Sequence, residues 1–332
     1  MSFTIRQGLP KMDLHYLRRL QLSARPLGQR IFAHTLVGMG LNKPWNPTHL
    51  EFEGLERVLE GHGRYIVMNH TDRYTCWPLQ HHLLVHHDRY TSAWVKAKYY
   101  KSPFVAWLLD RFNNIPVPSR GHHLTESFRQ VARTEPSRPA YEVLKKVTES
   151  ESLQDFDITA AIHALPDESE QAALKIILKT SDPKGPMSYA EATRQEFNGL
   201  MKEVVRLNQE ALGLGLDIVV FPEGTRRKRV SKGFTGAAQM ILATGASVIP
   251  VGSSGVDRLY PGASPISRGG SAKIRIGHAL RPGVELKPFE DGPSFTPFTL
   301  DAKKQEPRFQ ALTDHLMNQI NELVDPEYQR AD

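Results

Sequence analysis

Residues 216–221, Leu-Asp-Ile-Val-Val-Phe, form a short, almost unbroken apolar run that ends at Pro222 and is followed two residues later by Gly224. A run of this length, rich in β-branched residues and closed by turn formers, reads as a strand buried on both faces. Such a strand needs helices on both sides of its sheet, so the run points to an α/β fold.

The rest of the chain repeats the pattern. Pro44-Trp45-Asn46-Pro47 is a clear break, followed by strand-like Leu50–Phe52, a short helical stretch and a second apolar run, Tyr65–Met68. Helical patterning follows Pro78, Tyr90–Ala97 reads as a strand, and Ser102-Pro103 opens an amphipathic helix in the N-cap and first-position arrangement. Residues 113–121, NNIPVPSRG, read as a short strand and turn. A helix stopped by Gly245 leads to the strand Ser247–Val251, an alternating strand covers SAKIRIG, and FQALTDHLMNQINELV is a closing amphipathic helix. The expected fold is α/β, with a mixed central sheet covered by helices. Residues 1–47 form an N-terminal helical segment, 48–332 the main domain, and the polar, helix-prone stretch at about 121–205 an insertion in it.

Composition narrows the class. The 332 residues are 40% hydrophobic and 23% charged, ordinary for a folded chain and far from disordered or collagenous usage. One cysteine, Cys76, rules out an intrachain disulfide framework and favours a reducing, cytoplasmic setting. The net charge of +6 favours anionic partners. The longest charge-free stretch, 233–256, is broken by Gly245, Pro250 and Gly252 and holds many small and polar residues, so no spanning helix is expected. Residues 14–41 mix arginine with Leu, Ile and Phe at roughly helical spacing around Pro26, a pattern that packs on the domain or lies on a membrane surface.

Two stretches carry the chemistry. In YIVMNHTDRYTCWP (65–78), an apolar run delivers Asn69 and His70 to a polar turn, where Asp72 and Thr75 are candidates to orient the imidazole. In FPEGTRRKR (221–229), Gly224 permits a tight turn presenting Glu223, Thr225 and Arg226 at the sheet's edge, with Arg227, Lys228, Arg229 and Lys232 adding positive charge. A guanidinium beside turn N–H groups suits a phosphate monoester. No aromatic residues interleave this basic run, so nucleic acid is not the expected partner. His81, His82, His86 and His87 come without a carboxylate pattern, so no metal is expected. Cys76 reads as core, and the absence of a GxSxG elbow speaks against a serine hydrolase.

Asn69-His70, Ile115-Pro116-Val117-Pro118-Ser119-Arg120-Gly121, Phe221-Pro222-Glu223-Gly224-Thr225-Arg226 and Val248-Ile249-Pro250-Val251, in that order, resemble the four blocks of the glycerolipid acyltransferases typified by 1-acylglycerol-3-phosphate acyltransferases. The resemblance spans about residues 50–285 without the insertion. It implies transfer of an acyl group from acyl-CoA or acyl carrier protein to a hydroxyl of a phosphate-bearing acceptor such as lysophosphatidic acid or glycerol 3-phosphate, without cofactor, metal or covalent intermediate. It makes His70 the general base and gives Arg120 and the 223–226 turn to the acceptor phosphate. With the single cysteine and the basic, apolar 14–41 segment, the expected location is cytoplasmic and peripheral to the membrane. One departure stands out. The family's first block has an aspartate five residues after the histidine, where this chain has Thr75. Asp72, Thr75 or a carboxylate from elsewhere, such as Glu223, then remains to hold the ring. If Thr75 only fills the space of an absent carboxylate, Thr75→Asp should raise kcat. Two rivals stay open: another alcohol or amine acceptor, or a non-catalytic lipid- or acyl-carrier-binding protein.

Overall fold

The computed structural model describes residues 13–331 apart from 151, 152, 154, 155 and 183. Seven strands, β1 (Thr48–Glu53), β2 (Tyr65–Met68), β3 (Thr91–Lys96), β4 (Asn114–Val117), β5 (Asp217–Val220), β6 (Val248–Ser254) and β7 (Gly270–Ile276), form one sheet in the order β1-β7-β6-β2-β5-β3-β4. All neighbours run parallel except β6 and β7. The sheet is therefore mixed, and helices cover it, as the apolar runs require. β2 and β5 sit at its centre with every residue buried. β1, at the edge, alternates half-buried and exposed residues.

Asp217 starts β5 fully buried. It is matched there by the Arg89 guanidinium and by the Arg64 backbone N–H at 3.1 Å. A buried carboxylate needs such partners, and these two tie the start of β5 to the neighbouring loops.

The helical stretch after β4 comprises Arg120–Ala132, Arg138–Glu149, Ile158–His163, Glu168–Leu178 and the 29-residue helix Gly185–Gly213. The first four and the start of the long helix enclose their own apolar cluster around Phe128, Leu144, Val147, Leu174 and Leu178. Further along, the long helix turns Phe197, Leu200, Met201, Val204, Leu207 and Ala211 into the main core. It crosses residue 205 without a break, so one rigid element joins the two cores. At the N-terminus, Leu14–Arg19 buries Leu17 against the main core, while Leu27–Phe32 leaves Leu27 and Ile31 exposed.

Candidate active site

The parallel strands β2, β3, β4 and β5 all end at one edge of the sheet, the edge at which open α/β sheets build their sites. β2 ends one residue before Asn69. That buried amide donates to the Ser253 carbonyl at 2.9 Å and accepts from its N–H at 2.8 Å, pinning the end of β2 to β6. His70 follows. Its backbone N–H donates to Glu223 Oε2 at 2.7 Å, and its carbonyl accepts from the Arg227 N–H at 2.8 Å. The 221–229 turn thus holds the histidine's backbone on both sides.

The turn forms because Pro222 ends β5 and Gly224 takes φ +62°, a conformation glycine adopts without strain. A Cβ on Gly224 would lie 3.2 Å from the Phe234 ring, which covers the turn from outside. Glu223 is buried. Its second oxygen, Oε1, accepts from the Ser231 N–H at 2.8 Å and from Ser231 Oγ at 3.0 Å. Both oxygens are therefore committed, and Glu223 fixes the backbone of His70 rather than its ring. Thr225 and Arg226 are exposed, and Arg226 makes no ion pair among the described residues.

The imidazole stacks on Phe221, with centroids 4.1 Å apart and planes 20° from parallel. Its Nδ1 is buried with no hydrogen-bond partner among the described residues. Burial, followed by the positive charges of Arg226 and Lys96, holds its pKa down at about 4. The ring is neutral at physiological pH and able to accept a proton.

Asp72 and Thr75, the expected orienters, hydrogen-bond each other instead of the ring. Thr75 Oγ1 lies 2.9 Å from Asp72 Oδ2 and accepts the Asp72 N–H at 3.0 Å. Asp72 also accepts from the Tyr74 N–H at 2.6 Å and Thr71 Oγ1 at 3.0 Å. The reason is local: residues 71–76 make tight turns before the helix Trp77–His87, and Asp and Thr three apart satisfy the free N–H groups of such turns themselves.

Arg120 opens the helix after β4, behind the Ser119 cap. Its guanidinium donates to the Phe298 carbonyl at 3.2 Å, lies 3.6 Å from Glu149 and stands 5.5 Å over the Phe197 ring. It lines a cavity of about 310 Å³ with Thr148, Arg194, Asn198 and Asp301. The structure thus joins His70, Glu223 and the 224–226 turn through hydrogen bonds and leaves Arg120 bound to the helical insertion. Burial pushes the Cys76 thiol up to about 12, which makes it inert core. Sequence reasoning passed over Ser231 and the Phe221 ring. Ser231 had no signal, whereas Phe221 stood next to the turn already singled out.

No family model matches the chain, and a search of curated proteins finds no match. Among solved structures, the 1-acyl-sn-glycerophosphate (LPA) acyltransferase, PlsC, from Thermotoga maritima is similar at 14% identity and a TM-score of 0.40, over 92% of this chain and 86% of that one.

Proposed function

We propose that the chain is an O-acyltransferase that moves a fatty acyl group from acyl-CoA or acyl carrier protein to a hydroxyl of a phosphate-bearing glycerolipid acceptor, such as lysophosphatidic acid or glycerol 3-phosphate. The observation that carries this reading is the seat of His70: a neutral imidazole at the end of a central strand, locked through its backbone to the FPEGTR turn. The imidazole takes the proton of the acceptor hydroxyl as its oxygen attacks the thioester carbonyl. A C–O bond forms, the C–S bond breaks, and the departing thiolate receives the proton from the imidazolium. Arg226, exposed and without an ion pair among the described residues, is the side chain we assign to the acceptor phosphate. Arg120 would have to exchange Glu149 for that phosphate.

Among the described residues no helix is long and apolar enough to cross a membrane. We place the protein at the cytoplasmic membrane surface through Leu27 and Ile31 together with Phe104 and Trp107 on the helix Pro103–Arg111, all more than half exposed. Gly28 and Arg111 bring the two helices together, since a Cβ on Gly28 would lie 2.7 Å from the Arg111 carbonyl. Arg111 sits 4.9 Å over the Trp107 ring, giving the apolar patch a basic fringe. Sedimentation with anionic vesicles tests this, and Phe104→Ser with Trp107→Ser should abolish it. Equal sedimentation by that variant removes the patch from the interface.

An Nδ1 without a partner among the described residues favours a second reading, a non-catalytic lipid- or acyl-carrier-binding protein. The deciding experiment mixes purified protein with acyl-CoA and lysophosphatidic acid, or glycerol 3-phosphate, and follows free thiol. Acceptor-dependent thiol release that His70→Ala abolishes, with the fold intact by circular dichroism, is expected. Wild-type turnover by His70→Ala ends the general-base role. Binding without release by the wild-type protein supports the second reading.

A further inference from the structure

When His70 takes a proton it becomes an imidazolium in a place that opposes it. Arg226 and Lys96 face it with like charge, and burial removes water. The nearby acids do not compensate. Glu223 spends both oxygens on the N–H groups of His70 and Ser231 and on the Ser231 hydroxyl. Asp72 is held by Tyr74, Thr71 and Thr75. Nδ1 has no partner at all among the described residues. One feature favours the charged ring. Phe221 presents its face 4.1 Å away at 20° from parallel, within the roughly 6 Å over which a ring quadrupole attracts a cation.

Resting on the reading of His70 as the base, we propose that Phe221 is a positioning residue whose π face holds the imidazole flat and stabilises the imidazolium, the task an orienting carboxylate would otherwise perform. The fold builds this pair deliberately from two strands. β2 and β5 are parallel neighbours in a register that pairs Val67 with Val220, so Phe221 and His70 both follow the last pair at the same edge of the sheet. Phe221 packs against the buried cluster of Met68, Cys76, Leu79, Val219 and Ile249, which fixes its plane. Stacking sets the tilt of the imidazole while leaving its nitrogens unengaged, whereas a hydrogen-bonding acid would occupy one of them.

The test replaces Phe221 by leucine and, separately, by pentafluorophenylalanine, a near-isosteric ring whose face is positive rather than negative. The proton affinity of His70 is followed by NMR on histidine-labelled protein, assigned with His70→Gln, and kcat and KM are measured on the same samples. Both replacements should lower the proton affinity and kcat about tenfold with KM unchanged. Phe221→Tyr, which keeps the ring face, should restore both. A merely structural role would leave the pentafluoro variant like wild type in both readouts. Unchanged proton affinity in that variant overturns the proposal, and because its shape is preserved this holds even if Phe221→Leu does not fold. The two readings also fail separately. A wild-type protein without acyl transfer whose His70 still responds to the ring refutes the base and keeps the stacking effect. Normal transfer indifferent to the ring refutes the stacking effect and keeps the base.

Discussion

Replacing Thr75 by aspartate puts in the acid of the resembled block; from sequence alone it should raise kcat if Thr75 only fills the space of an absent carboxylate, and change little if Asp72 or another acid already orients the ring. The hydrogen bonding of Thr75 argues against the gain. Thr75 is fully buried, and its hydroxyl lies 2.9 Å from Asp72 Oδ2. A carboxylate there would sit against that of Asp72, about 3–4 Å away. At an effective dielectric of about 20, two unit charges at that distance repel by roughly 4–6 kcal/mol. The pair escapes part of this by keeping one proton, so a loss of about 2–4 kcal/mol at pH 7 is expected, with a fall in Tm on the order of 5 °C. The sign with pH follows. The shared proton means a carboxyl pKa raised above its unfolded value, so the penalty is full above the raised pKa and vanishes as pH falls below about 4. The assay is thermal melting from pH 4 to 8 alongside thiol release. Thr75→Asp should melt lower at pH 7 and close to wild type at pH 4, with no gain in kcat. Adding Asp72→Asn to Thr75→Asp should recover most of the Tm at pH 7. A Thr75→Asp protein with wild-type Tm and a raised kcat would refute the argument, because it would mean that Thr75 faces His70 rather than Asp72.

Glu223→Ala leaves the buried N–H groups of His70 and Ser231 unpaired and should cost about 3–5 kcal/mol; freeing the His70 backbone should lower kcat on the order of 10²-fold. Full turnover in that variant removes Glu223 from the support of the base. Because His70 is held at about 4 instead of its ordinary 6.5, kcat/KM should stay flat from pH 8 to below pH 6, and an acid limb centred near 6.5 would contradict the buried seat. The same depression, shared by His81, makes the unfolded chain bind more protons below about pH 6.5. Stability is therefore complete above that pH and falls as pH drops toward about 4, which chemical denaturation across the range will show.

The sequence by itself determined the strands, the turn and the identity of the candidate base. Val, Ile and Leu at 216–221 and 65–68 can only be satisfied inside a covered sheet, and Pro222 with Gly224 ends a strand whatever lies around it, because backbone sterics and side-chain burial act over a few residues. What orients His70 was not legible, since it depends on which residues from distant parts of the chain meet. His70 and Glu223 are 153 positions apart, and only the β2–β5 pairing brings them within 2.7 Å. Asp72 and Thr75 looked like candidates because spacing shows which side chains are near the histidine in sequence. It does not show which hydrogen bonds they have already made. The turn before the helix Trp77–His87 needs its own N–H groups satisfied, and two short polar side chains three residues apart do so at no cost in chain entropy. The helix that runs through the expected end of the insertion, at about residue 205, was hidden for the related reason that one helix can serve two cores. The polar surface of Gly185–Gly213 hides the point where its apolar face passes from the insertion to the sheet. Tertiary packing alone decided that the imidazole lies on Phe221 with no Nδ1 partner among the described residues, because a stacking contact across two strands leaves no periodic trace in either of them.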